Sequence, residues 1–105
     1  MISLEWDPDK EEKNIRDHGV DFEFAAGVFQ DPYVYEDYDE EHSGYNQYGE
    51  WEDRYVAIGI VDMVLYVVYT IREKGHEDVI RLISARVAEK DEQELYYEWR
   101  EGKRS

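Results

Sequence analysis

The segment VIRLISAR (79–86) sets Arg81 and Arg86 into and just after an aliphatic run, and Arg72 ends the preceding run LYVVYTIR (65–72). A guanidinium is a planar fork of N–H donors that matches the oxygens of a carboxylate or a phosphate. If the turn in EKGHED (73–78) centres on Gly75 and His76, Arg72 lies opposite Val79 and Thr70 opposite Arg81. Arg72, Arg81 and Thr70 then share one face of a sheet, with Tyr66 further along it. Sliding the turn centre by one residue in both strands keeps that parity. The other face carries Leu65, Val67, Tyr69 and Ile71 against Ile80 and Leu82, which is core material. Arg86 has the opposite parity to Arg81 unless a bulge or the end of the strand intervenes. Two neighbouring guanidiniums require an anion between them, a phosphate or one of the chain's own carboxylates. With 27 acids against 12 bases, an internal salt bridge is the first expectation.

A second group of polar residues has helical spacing. Lys10, Asn14 and His18 stand four apart and share one face of a helix. Asp7 is suited to cap that helix, Pro8 to its first position and Gly19 to its stop. Only Ile15 is clearly apolar inside it, so the helix lies on the surface, anchored at its ends by Trp6 and Val20. His18, near the helix end, is as well suited to the last carbonyls as to chemistry. A second helix begins after Asp21, with Phe22, Ala25, Ala26 and Phe29 as its core stripe, and ends at Asp31-Pro32. PYVYEDYDE starts as a strand. A polar excursion, EEHSGYNQYGEWED, leads to a meander of RYVAIGI, LYVVYTIR and VIRLISAR. From about Ala88 to Trp99 a last helix carries Ala88, Leu95, Tyr96 and Trp99 as its apolar stripe, and Gly102 closes it. This order predicts one α+β domain over 1–105: two N-terminal helices, an antiparallel twisted sheet of three to four strands, and a C-terminal helix.

Composition narrows the function. The net charge of −15 repels nucleic acid and anionic membranes at long range, and suits either a salt-adapted surface or a basic partner. There is no cysteine, which fits a reducing cytoplasm, and no signal-peptide or membrane-length apolar run. No cofactor is implied, and no metal site. The acid-rich DYDEEH fails as an EF-hand loop, because His42 stands at the sixth position and Tyr48 at the twelfth. His76 belongs to a turn and is expected in solvent. From Asp31 to Asp53, both included, there are nine acids, five tyrosines, a tryptophan and no Lys or Arg. Tyr33, Tyr35, Tyr38, Tyr45, Tyr48 and Trp51 form either a contact surface for a basic protein, with Tyr45, Tyr48 and Trp51 as its anchors, or a set of which several fold back over the core.

The combination of EWDPDKEEKNIRDHGVDFEFAAGVFQDP, HS at 42–43, DRYVAIG, VVYTIR and IRLISARVA, in this order, resembles the BrnT family of bacterial type II toxins. The resemblance implies a RelE-like fold and a metal-independent ribonuclease that inhibits growth. It implies a BrnA-like ribbon-helix-helix antitoxin as partner, with DNA reached only through that antitoxin. By the family pattern Arg72, Arg81 and Arg86 clamp phosphate, and Lys10 and His18 contact phosphate or move a proton. Ser84 hydrogen-bonds and Tyr69 donates a proton in the same scheme. The chain departs from that pattern in several places. Asp17 replaces a base before His-Gly, Val87 and an acidic helix follow Ser-Ala-Arg, and the 44–52 loop is long and carries no base. Since RNA affinity depends on phosphate contacts, the alternative is a catalytically weakened acidic protein-binding module on the same fold.

Overall fold

The structure, a computed structural model, describes residues 3–104. A mixed five-stranded sheet forms the centre: β1 (Ser3–Glu5), β2 (Tyr35–Tyr38), β5 (Tyr55–Val61), β6 (Met63–Lys74) and β7 (Glu77–Val87), in the order β1-β7-β6-β5-β2. β3 (Gly44–Tyr45) and β4 (Trp51–Glu52) form a separate two-stranded hairpin within the polar excursion. The meander is antiparallel as expected, with Arg72 opposite Val79 and Thr70 opposite Arg81. The sheet as a whole is mixed rather than antiparallel, because β1 runs parallel to β7. A strand of three residues offers too little alternation to be read from sequence, and its partner lies more than seventy residues away.

The register changes at one place. Val68 faces Ser84, but Tyr69 faces Leu82, leaving Ile83 as an extra residue in β7. Such a bulge reverses which side chains point to which face. Leu82 and Ala85 consequently both enter the first core, joined by Ala57, Leu65, Val67 and Tyr69. Helix α2 (Phe22–Ala25) and the 3-10 segment Ala26–Gln30 cover this face with Phe22, Ala25 and Val28. The expected single helix over 22–29 is therefore a short α-helix that tightens. The tightened segment lies close to β5: a Cβ on Gly59 would come within 3.1–3.3 Å of Val28.

Helix α1 (Pro8–His18) starts with the Asp7 carboxylate accepting the Asp9 N–H, and stops at Gly19 in the left-handed conformation. Its buried residue is Asn14, not the half-exposed Ile15. The Asn14 amide donates to the Val20 and Ala85 carbonyls, and its oxygen accepts the Ala85 N–H. One side chain thus does for this edge of β7 what a further strand would do, pairing both backbone groups of Ala85. Trp6 and Val20 anchor the two ends, as expected.

The opposite face is divided. Val56, Ile58, Val64 and Tyr96 form a second core with Tyr66 beneath helix α3 (Lys90–Arg104). The half carrying Thr70, Arg72 and Arg81 is left without a helix. Gly102 does not close α3, which runs on to Arg104. Tyr96 is fully buried, whereas Leu95 and Trp99 are partly exposed.

Asp31 ties these layers together. It accepts the Tyr96 hydroxyl at 2.6 Å, the Ile60 N–H at 2.9 Å and the Tyr33 N–H at 2.8 Å. Burial pushes its carboxyl upward, but these donors and the nearby Arg100 outweigh that and hold it below the ordinary aspartate value. A carboxylate with a depressed folded pKa stabilises the fold above its unfolded value, near 3.9, and loses that contribution as pH falls through the folded value. Urea unfolding of wild type and Asp31→Asn should therefore differ most at pH 6 and converge below about pH 4. A difference that stays constant down to pH 2.5 would contradict this account.

Candidate functional site

One row of side chains crosses the uncovered half of the sheet. Glu5 pairs with Arg81 in the β1–β7 register, and Arg81 with Thr70 in the β7–β6 register. Arg54 stands one residue before Tyr55, the partner of Tyr69, and so continues the row beyond Thr70. The Thr70 hydroxyl donates to the Asp53 carbonyl at 2.6 Å and fixes the chain where it enters β5. Arg72 lies one row further on.

Each guanidinium in this row meets a carboxylate of the chain itself. Arg81 Nη1 lies 2.8 Å from Glu5 Oε2, and Lys74 Nζ lies 3.0 Å from Glu5 Oε1. Desolvation raises the Glu5 carboxyl, but Lys74 and Arg81 outweigh it, and the net shift is downward. Arg54 Nη2 sits 3.1 Å from Glu52 Oε1, and Arg72 Nη2 sits 3.9 Å from Glu52 Oε2. The internal salt bridges expected from the excess of acids are present.

Arg54, Arg72, Arg81, Glu52 and Thr70 line a cleft of about 360 Å³ with Lys10, Asp7, Ile83 and the loop residues Asn46, Gln47 and Tyr48. An adjoining groove of about 280 Å³ shares Lys10, Arg54 and Ile83, and adds Lys13, Asn14, Asp17, His18 and Ser84. Five of the chain's 12 bases, Lys10, Lys13, Arg54, Arg72 and Arg81, thus gather along one continuous depression in a chain of net charge −15. Neither Lys10 nor His18 has an ion pair or side-chain hydrogen bond among the described residues, so both remain available to a bound group.

Of the residues singled out in the sequence, Lys10, His18, Arg72, Arg81 and Ser84 come together in this way. Arg86 does not join them. The bulge does bring it to the same face as Arg81, but there it lies 4.2 Å over the Tyr66 ring, and its two terminal nitrogens fork onto Glu92 at 2.8 and 2.9 Å. Glu92 is pushed up by burial and pulled down further by Arg86 and the Glu89 N–H, so the pair stays ionised. Tyr69 is on the opposite face. It is buried, stacked on Tyr55 with centroids 5.5 Å apart, and donates to Glu36. Desolvation and Glu36 push its hydroxyl well above the ordinary tyrosine value, which opposes its ionisation. Arg54 and Glu52 were missed. The alternation of RYVAIGI already put Arg54 on the face of Val56 and Ile58, whereas Glu52 sits in a segment with no periodicity.

The hairpin of β3 and β4 overhangs the cleft. Tyr45 and Trp51 meet edge to face with centroids 5.2 Å apart, and Trp51 Nε1 and the Tyr38 hydroxyl both donate to Asp53 Oδ1. Tyr45, Tyr48 and Trp51 are 76%, 76% and 55% exposed, so these three do not fold back over the core. Tyr35 does, meeting Trp99 of α3. His42 pairs with Asp39 at 2.8 Å, and no grouping of three metal-ligating side chains occurs among the described residues.

Residues 6–92 match the model of a family described as the ribonuclease toxin BrnT of type II toxin–antitoxin systems. The chain belongs to the BrnT family. The matched span runs from Trp6 through α1, the whole meander and the start of α3, so it takes in the described cleft. No curated protein matches the chain. BrnT membership implies an antitoxin partner, since type II toxins are the protein-neutralised half of a pair.

The two arginine environments predict different mutant behaviour. Arg86→Ala leaves Glu92 half-buried without its fork and should cost about 1–3 kcal/mol of unfolding free energy. Arg72→Ala, at an exposed and loosely paired position, should stay within about 0.5 kcal/mol. Urea unfolding of both variants checks this, and equal losses would refute it.

Proposed function

We propose that this BrnT-family chain is a working toxin: a metal-independent endoribonuclease on a RelE-like fold that cleaves RNA in the cytoplasm and arrests growth. The observation that carries the reading is the cleft itself, where Lys10, Arg54, Arg72 and Arg81 converge in a strongly acidic chain. Cleavage by the ribose 2'-hydroxyl needs charge stabilisation on the phosphorane and two proton transfers. Arg72 and Arg81 clamp the scissile phosphate, with Arg54 and Lys10 beside them. Ser84 contributes a hydroxyl hydrogen bond, and His18, in the adjoining groove, moves a proton. Arg86 acts at one remove by seating α3, and Tyr69 has no part.

The partner in this reading is a ribbon-helix-helix antitoxin, which masks the toxin and alone contacts DNA. The exposed Tyr45, Tyr48 and Trp51, set among Glu40, Glu41, Glu50 and Asp53, suit a basic segment of such a protein. Replacing Tyr45 and Trp51 together with Ala should weaken toxin–antitoxin binding by about 10-fold or more in titration calorimetry. Unaltered affinity would remove this surface from the interface.

A second reading has an observation of its own. Glu5 and Glu52 already occupy the guanidiniums, as in a protein whose RNA site has become a structural ion-pair network serving protein association. Induction of the chain alone in a bacterial host separates the two. Growth arrest with RNA loss, absent in Arg72→Ala and Arg81→Ala and rescued by the antitoxin, is the outcome expected of the toxin. Normal growth with soluble folded protein, at both low and high intracellular salt, would favour the binding module.

A further inference from the structure

We propose that Glu52 is the general base of the cleavage, removing the proton from the attacking 2'-hydroxyl; this rests on the ribonuclease reading above. Three carboxylates accept hydrogen bonds from guanidiniums on this side of the sheet, and their pairing differs. Glu5 accepts both Arg81 and Lys74 on Oε2, at 2.8 and 3.2 Å, and its Oε1, 3.0 Å from the Lys74 nitrogen, is buried away from solvent. Glu92 has both oxygens in the Arg86 fork. Glu52 gives only Oε1 to Arg54, whose Nε and Nη2 lie 3.2 and 3.1 Å away. Its Oε2 receives no hydrogen bond among the described residues, and Arg72 Nη2 stays at 3.9 Å. Glu52 also lines the cleft, whereas Glu5 and Glu92 do not. The other acid lining it, Asp7, holds the start of α1.

Glu52 is therefore anchored by one oxygen and open at the other, between guanidiniums placed for phosphate. Arg54 fixes the carboxylate plane, and β4 fixes its backbone opposite Gly44. A general base requires this arrangement: a carboxylate held in place whose accepting lone pair is unspent. In the step, Oε2 takes the 2'-hydroxyl proton and the 2'-oxygen forms a bond to phosphorus. The bond from phosphorus to the 5'-oxygen breaks, and that oxygen takes a proton from the His18 imidazolium. A 2',3'-cyclic phosphate and a 5'-hydroxyl result. Water returns the proton from Glu52 to His18.

The test uses the full chain and a single-stranded oligoribonucleotide of mixed sequence, with a fully 2'-O-methylated copy as the uncleavable binding probe. Glu52→Gln should lower the cleavage rate about 100-fold or more, while affinity for the methylated probe stays within a few-fold or tightens. The rise of wild-type rate with pH on the acid side should vanish in the variant, and wild-type fragments should carry cyclic phosphate ends. Should the variant prove unfolded by circular dichroism, the wild-type profile decides, and a flat acid side overturns the proposal. Faster cleavage by Glu52→Gln would make Glu52 a plug rather than a base and would overturn it, as would an unchanged rate. Failure of the wild type to cleave any RNA is a different result, because it removes the ribonuclease reading and this proposal with it.

Discussion

A single extra residue in β7, Ile83, decides how the rest of the molecule is assembled. With unbroken alternation, Ala85 would face the uncovered side and Arg86 would point into the core under α2. The bulge reverses both. Ala85 becomes a buried residue whose outward edge takes the Asn14 amide, which seats α1. Arg86 emerges over Tyr66, where Glu92 seats α3. Both helix attachments, and the placing of Ser84 in the groove beside Lys10, follow from that shift.

The second constraint is charge. A buried or crowded guanidinium is tolerated only with an anion at hand, and in this chain the acids come from other elements than the bases they serve, Glu5 from far along the sequence and Glu52 and Glu92 from close by. Glu5 comes from the first strand, Glu52 from the hairpin and Glu92 from the last helix. The network is therefore also a tie between elements, a long-range one where Glu5 joins β1 to Arg81 of β7 and Lys74 of β6. It leaves Lys10 and His18, on α1, as the basic side chains of the depression with no ion pair among the described residues, so the helix side of the cleft is the less neutralised side.

Much of this was legible beforehand. Turn arithmetic around Gly75 gave the true β6–β7 pairing near the turn, because a side-chain period of two leaves little freedom once the turn is placed. The caps Asp7, Pro8, Gly19 and Asp21 marked their helices correctly, since each acts locally. What was not legible depends on distant partners. β1 exists because β7 offers an edge, and Asn14 is buried because Ala85 presents both backbone groups to it. The bulge was allowed for as one route by which Arg86 could change face, but nothing in VIRLISAR fixes where a bulge falls. Gly102 was misread as a stop because glycine ends a helix only where the chain also turns away.

The far edge of the sheet has its own bearing on behaviour in solution. β2 is an outermost strand, so one row of its backbone groups lacks a neighbour strand, and an open edge of this kind is where copies of a protein join sheet to sheet. Here the strand is four residues long and bears Glu36 and Asp37, with Asp39 following at once. A second copy approaching in register would bring like charges together along the whole edge. The acidity that complicates RNA binding at the cleft thus opposes, along this edge, the sheet-to-sheet joining of two copies.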